Sequence, residues 1–152
     1  MSPARASMAG FSAANNEGAP MAQTIAILLA RLIFGGVFLM ACTFKFIGMD
    51  ATAAYIAAAG FPMSLALAWI AAFFELALVI GFFTGAFFKY ASVLAALYVL
   101  FLGFVFHGPS HWEGNQTEFG FFVDHFTFFA GLLYAAVCGP GEKLVWRIPR
   151  KS

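Results

Sequence analysis

A chain of 152 residues that is 62% hydrophobic and only 10% charged has too little polar surface to be a soluble domain, and its composition belongs to the membrane class. The formal net charge of +1 argues against a nucleic-acid partner. The 21 phenylalanines decide nothing further, because lipid-facing helices accept them freely.

Residues 1–22 open with "MSPARASMAGFSAANNEGAP", a small, polar stretch that reads as a disordered leader. A secretory signal would place basic residues directly before an apolar core, and this stretch does not. Residues 23–141 then hold four segments near the roughly 20 apolar residues that a spanning helix needs. They are Thr24 to Phe44, Ser64 to Phe83, Tyr90 to Phe106 and Phe119 to Cys138. Backbone groups in lipid must be bonded within the segment, so the expected fold is all-α, a four-helix transmembrane bundle.

The connections differ in kind. "GMDATAAYIAAAGFP" predicts a short interfacial helix ended by Gly60 and Pro62, "TGAFFK" a tight turn, and "HGPSHWEGNQTE" a polar irregular loop. Residues 142–152 form a basic tail. With Arg5, Lys89, Lys143, Arg147, Arg150 and Lys151 on one side and only Lys45 on the other, both termini are expected in the cytoplasm.

Two charges lie inside the spans. Arg31 and Glu75 each sit about eight residues, or roughly 12 Å, from the same expected membrane face. An unpaired charge at that depth costs at least about 2.5 kcal/mol on insertion scales, so an Arg31–Glu75 ion pair is expected. It reads either as an interhelical clasp or as the lining of a cavity for an anionic or quinone-like ligand, or for protons.

A second polar group gathers at the opposite face: Lys45, His107, Asp124 and His125, beside loop residues such as His111, Glu113 and Glu118. Lys45 and Asp124 both reach into the span, close enough in depth to form a second clasp with His107 or His125 bonded to the carboxylate. This cluster is either a helix-end network or the rim of a quinone vestibule walled by Phe44, Phe106, Phe121 and Phe122. His107 and His111 bracket Gly108 and Pro109, so they are not a helical ligand pair, and no metal site is expected. Cys42 and Cys138 fall near opposite ends of the bundle, on the order of 25 Å apart by helix rise, which excludes a dithiol within the chain. There is no glycine-rich nucleotide fingerprint outside the packed "LIFGGVF", so no intrinsic cofactor is expected.

The ordered series "ARLIFGGVFLMACTFKF", "AAGFP", "AAFFELALVIGFFTG", "FH" and "GLLYAAVCGPG" resembles the DoxX family of small four-span bacterial inner-membrane proteins. Members of that family often carry a Lys-Asn pair entering the last span, where this chain has Asp124 and His125. The resemblance implies an inner-membrane location and an oxidoreductase label without an assigned reaction. It also implies quinone as a ligand and a soluble redox or thiol enzyme as a partner, alongside the lipid bilayer. The expected role is an accessory or quinone-interacting subunit of a membrane redox system. The alternatives are a non-catalytic scaffold that recruits soluble enzymes and a small-solute or proton carrier. The sequence leaves the oligomeric state open.

Overall fold

The computed structural model describes the backbone of residues 3–146 and the side chains of residues 21–146. In chain order the helices are α1 (Pro3–Ile47), α2 (Met49–Ala58), α3 (Ser64–Thr84), α4 (Phe88–His107) and α5 (Gln116–Cys138), with one 3-10 turn at Pro109–His111. No strand occurs among the described residues. Among the described residues, four helical segments are long and apolar enough to cross a membrane: Met21–Ile47, Ser64–Thr84, Phe88–His111 and Gln116–Cys138. The four-helix bundle expected from the sequence is therefore the observed fold. The helical backbone of α1 reaches back to Pro3, through the stretch read above as a leader. Arg147, Arg150 and Lys151 lie outside the described residues, as does the side chain of Arg5.

The spans alternate in direction, and α1 packs on α3, α3 on α4, α4 on α5, and α5 back on α1. α2 lies against α3 at one end of this ring, called here the α2 end. The buried positions of α1 are Arg31, Gly35, Phe38 and Cys42, with Lys45 half-buried next in line. Their alternating spacing of four and three makes one narrow seam, and Arg31 and Lys45 share it. α3 answers with Ala68, Ala72, Glu75, Leu78, Val79 and Phe82, all buried.

Register between the two seams is set by rings. Phe38 stacks on Phe82 with centroids 5.7 Å apart and planes within 4°, and Gly35 leaves just enough room for the ring of Phe83. Small residues set the next contact: a Cβ at Gly81 would fall 2.9 Å from that of Ala91, so α3 and α4 touch almost backbone to backbone. Gly85 ends α3 in the left-handed region, at φ 68°, and a tight turn through Ala86 and Phe87 starts α4. Asn115 caps α5, its Oδ1 accepting from the Glu118 backbone N–H at 3.3 Å.

The segment after α5 folds back over the opposite end of the bundle. Arg31 is 1% exposed, and its two terminal nitrogens donate to the carbonyls of Pro140 and Leu144, both at 2.8 Å. The Trp146 N–H donates to the Thr84 carbonyl at 2.8 Å, satisfying an orphan acceptor at the end of α3. A guanidinium with a fixed fork can bridge two carbonyls in a way that an ammonium cannot. Replacing Arg31 with Met should lower the thermal stability of the detergent-solubilised protein by about 1–3 kcal/mol for each charge-assisted bond lost. Arg31→Lys should recover less than half. Limited proteolysis provides the second measurement, with cleavage after Lys143 accelerating in both variants.

Candidate functional site

Glu75 does not pair with Arg31. Its Oε1 lies 2.8 Å from the Lys45 ammonium and accepts a hydrogen bond from the Tyr98 hydroxyl, also at 2.8 Å. The carboxylate of α3 is thus joined to α1 and α4 at once. The register explains the exchange of partners. Starting from the stacked Phe38 and Phe82, seven residues toward the α2 end bring Lys45 opposite Glu75. Seven residues the other way bring Arg31 past Thr84, where α3 has already ended, and its Nη1 sits beside Gly85 instead.

Side-chain direction works the same way. Helical side chains lean toward the N-terminus of their own helix. On α1 this aims Lys45 into the bundle and Arg31 out toward the tail. On the antiparallel α3 it aims Glu75 toward Lys45. α1 starts well before the level at which α3 ends, so equal distances from the two span ends do not put Arg31 and Glu75 at one depth.

Lys45 also lines a cavity of about 450 Å³ at the α2 end, within the range of small-molecule sites. Besides Lys45 of α1 and His125 of α5, its walls include Thr52 and Tyr55 of α2, Phe61 of the following loop, Ile70, Ala71 and Phe74 of α3, and Phe101, Leu102 and Phe106 of α4. Tyr55 stacks on Phe106, centroids 4.9 Å apart, so α2 roofs the space. Burial, and then the Glu118 carboxylate, hold the Tyr55 phenol above its ordinary pKa, leaving a neutral hydroxyl. Of the walls expected around a vestibule, only Phe106 is found here, while Phe44 and Phe121 are exposed.

Besides the Thr52 and Tyr55 hydroxyls of α2, the polar side chains of the cavity fall into two groups. Lys45 and Tyr98 are deep, and His107 and His125 stand near the α2 end. Tyr98 and His107 are nine residues apart on α4, roughly 13 Å along the axis. The two imidazole centroids are 5.0 Å apart. His107 Nδ1 lies 2.6 Å from Glu118 Oε2, and Trp112 Nε1 donates to the His107 carbonyl at 2.8 Å. His125 Nδ1 lies 2.7 Å from the Phe121 carbonyl. Among the described residues no group of three or more His, Cys, Asp or Glu side chains converges on one point.

The expected outer cluster is therefore partly assembled and partly corrected. Lys45, His107 and His125 share one cavity. Asp124 is exposed and outside that cavity. The Lys45–Asp124 pair does not form, because Lys45 leans inward to Glu75 and the histidine-bonding carboxylate is Glu118. Cys42 is buried and Cys138 exposed, both free thiols.

Tyr98 was not singled out from the sequence, although a signal existed. Between Ser92 and His107 it is the one side chain able to make a strong hydrogen bond. A polar group alone in a span seeks a partner, and Glu75 is across the hairpin.

Glu75→Gln should cost about 3 kcal/mol, the lower end for breaking a buried pair, because the Lys45 side chain is 21% exposed and can move toward water. The double variant Lys45→Met, Glu75→Gln should recover most of that loss. Exchanging Arg31 and Glu75 should recover nothing. Thermal melts in one detergent distinguish the three results, and rescue by the Arg31–Glu75 exchange would contradict the geometry.

No curated protein and no solved structure matches the chain. The family model for DoxX matches residues 26–108, more than half of the sequence, and takes in Lys45, Glu75, Tyr98 and His107 but neither Glu118 nor His125. With that match and four apolar spans, the chain is a multi-pass membrane protein that belongs to the DoxX family.

Proposed function

We propose that this DoxX-family protein binds a quinone head group in the cavity beneath α2 and serves as a quinone-interacting subunit of a membrane redox system. The observation that carries this reading is the Lys45 ammonium, held deep against Glu75 in a space whose remaining walls are almost entirely aliphatic and aromatic. A cation in a low-dielectric site attracts and polarises a carbonyl oxygen, and aromatic walls suit a flat ring. The ammonium has three donors, and Glu75 and the bundle leave some of them free for a ligand. Two polar groups about 13 Å apart along α4 suit a ring with oxygens at opposite ends plus the side chains reaching them.

Phe61 and Phe101, rings 6.2 Å apart, close the cavity between the start of α3 and the middle of α4. Phe101 is 48% exposed on the lipid side, so a ligand dissolved in the bilayer can arrive laterally. Electrons pass to or from a soluble redox or thiol enzyme in this reading. The setting is a bacterial inner membrane with both termini in the cytoplasm, as the basic loops favour. A reporter fused after Ser152 should then be active only if it works in the cytoplasm. One inserted at Gly114, an exposed loop position with open space around it, should report the opposite side.

The ligand test is a melting curve of the purified protein with and without a soluble quinone analogue. At one hundred times its dissociation constant a bound ligand raises apparent stability by about 2.7 kcal/mol. The parent and Asp124→Asn should show the same shift, because Asp124 stands outside the cavity. Lys45→Met, Glu75→Gln should lose most of it while keeping its own fold. Absence of a shift in the parent would leave the scaffold reading in front.

A further inference from the structure

A quinone and its hydroquinone have the same ring and differ at their oxygens, and the two imidazoles at the α2 end of the cavity meet those oxygens differently. His125 Nδ1 lies 2.7 Å from the carbonyl of Phe121, one turn earlier on α5. A carbonyl oxygen only accepts, so Nδ1 carries the hydrogen, and the neutral ring turns an Nε2 lone pair outward. Gly103 makes this placement tight: a Cβ there would come within 2.9 Å of the His125 Cβ. The ring is therefore held by its own helix on one side and by the backbone of α4 on the other. Its neighbour His107 has an anion, Glu118, at its Nδ1, whereas His125 has only a neutral carbonyl.

An oxidised quinone has carbonyl oxygens alone. Placed against Nε2 of His125, such an oxygen sets lone pair against lone pair in a largely apolar cavity. A hydroquinone brings a hydroxyl hydrogen to the same nitrogen, while its far oxygen still accepts from Lys45. We propose that His125 is a specificity-determining residue through which the cavity selects the reduced, hydroxyl-bearing form of its ligand. This deepens the quinone reading above and rests on it. Nothing is transferred in the selection itself: the hydroxyl hydrogen stays on the ligand and is shared with Nε2.

The experiment uses the full chain in mild detergent, with trimethylbenzoquinone and trimethylhydroquinone titrated separately by calorimetry under argon. The parent should bind the hydroquinone at least about tenfold more tightly, as expected when a buried acceptor is matched in one form and opposed in the other. His125→Gln supplies an amide that rotates to donate instead. It should narrow the preference to within about threefold, mainly by improving the affinity for the quinone. A side chain that served packing alone would shift both affinities together. Equal binding of the two forms by the parent, or an unchanged preference in the variant, overturns the proposal and leaves the quinone site standing. Binding of neither form by the parent removes the quinone site and the proposal together. Nitrogen NMR of the parent with labelled histidine decides the matter even if the variant does not fold. A neutral His125 carrying its hydrogen on Nδ1 supports the selection, and a hydrogen on Nε2 overturns it.

Discussion

The ion pair between Lys45 and Glu75 ties α1 to α3 at one level, and the Tyr98 hydroxyl ties α4 to the same carboxylate oxygen. A carboxylate in an apolar bundle is costly unless every neighbour that can satisfy it stays in place, so these three helices have little freedom to slide. The ring stack of Phe38 on Phe82 and the near contact of Gly81 with Ala91 fit the same register. Charge, aromatic packing and small residues thus point to one arrangement, which is the consistency expected of a uniquely folded bundle.

The same constraint creates the cavity. Lys45 is drawn inward from the end of α1, and the space it enters is roofed by α2 through Tyr55 and Phe106 and floored by Phe74 and Tyr98, whose rings meet edge to face at 5.1 Å. Lys45, one half of a structural ion pair, therefore also lines a largely apolar pocket whose other polar groups are Thr52, Tyr55, Tyr98, His107 and His125. In the proposed reading, stability and binding both depend on the Lys45 ammonium. At the other end of the bundle, Arg31 does a different job with the same kind of charge, holding the carbonyls of the returning chain.

Much of this was legible in the amino-acid order. Hydropathy alone separates four spans, a short alanine-rich helix and a tight turn, because apolar length is dictated by the thickness of the bilayer. The family resemblance, carried by Arg31, Lys45, Pro62, Glu75, Gly81, His107 and Gly139-Pro140-Gly141, agrees with the DoxX match over residues 26–108. Several of those elements acquire a physical role in the structure: Gly81 is a helix contact, and Pro140 offers its carbonyl to Arg31. The polar residues that matter were also visible, since each buried charge and each histidine near a helix end was a candidate by type.

Local composition and the cost of charge in lipid dictate the list of spans and the set of charges that must find partners. Which cation meets Glu75 depends on how the helices pack. Arg31 and Lys45 lie on the same seam two heptads apart, and either satisfies the rule that Glu75 needs a cation. The choice depends on a helical stagger set by Phe38 on Phe82 and on the lean of side chains toward each helix's N-terminus, neither of which a distance counted from a span end contains. For the same reason Glu118, rather than Asp124, bonds His107. The two residues are six apart on α5 and point to different sides, so rotation about a helix axis, fixed only by packing, decided between them.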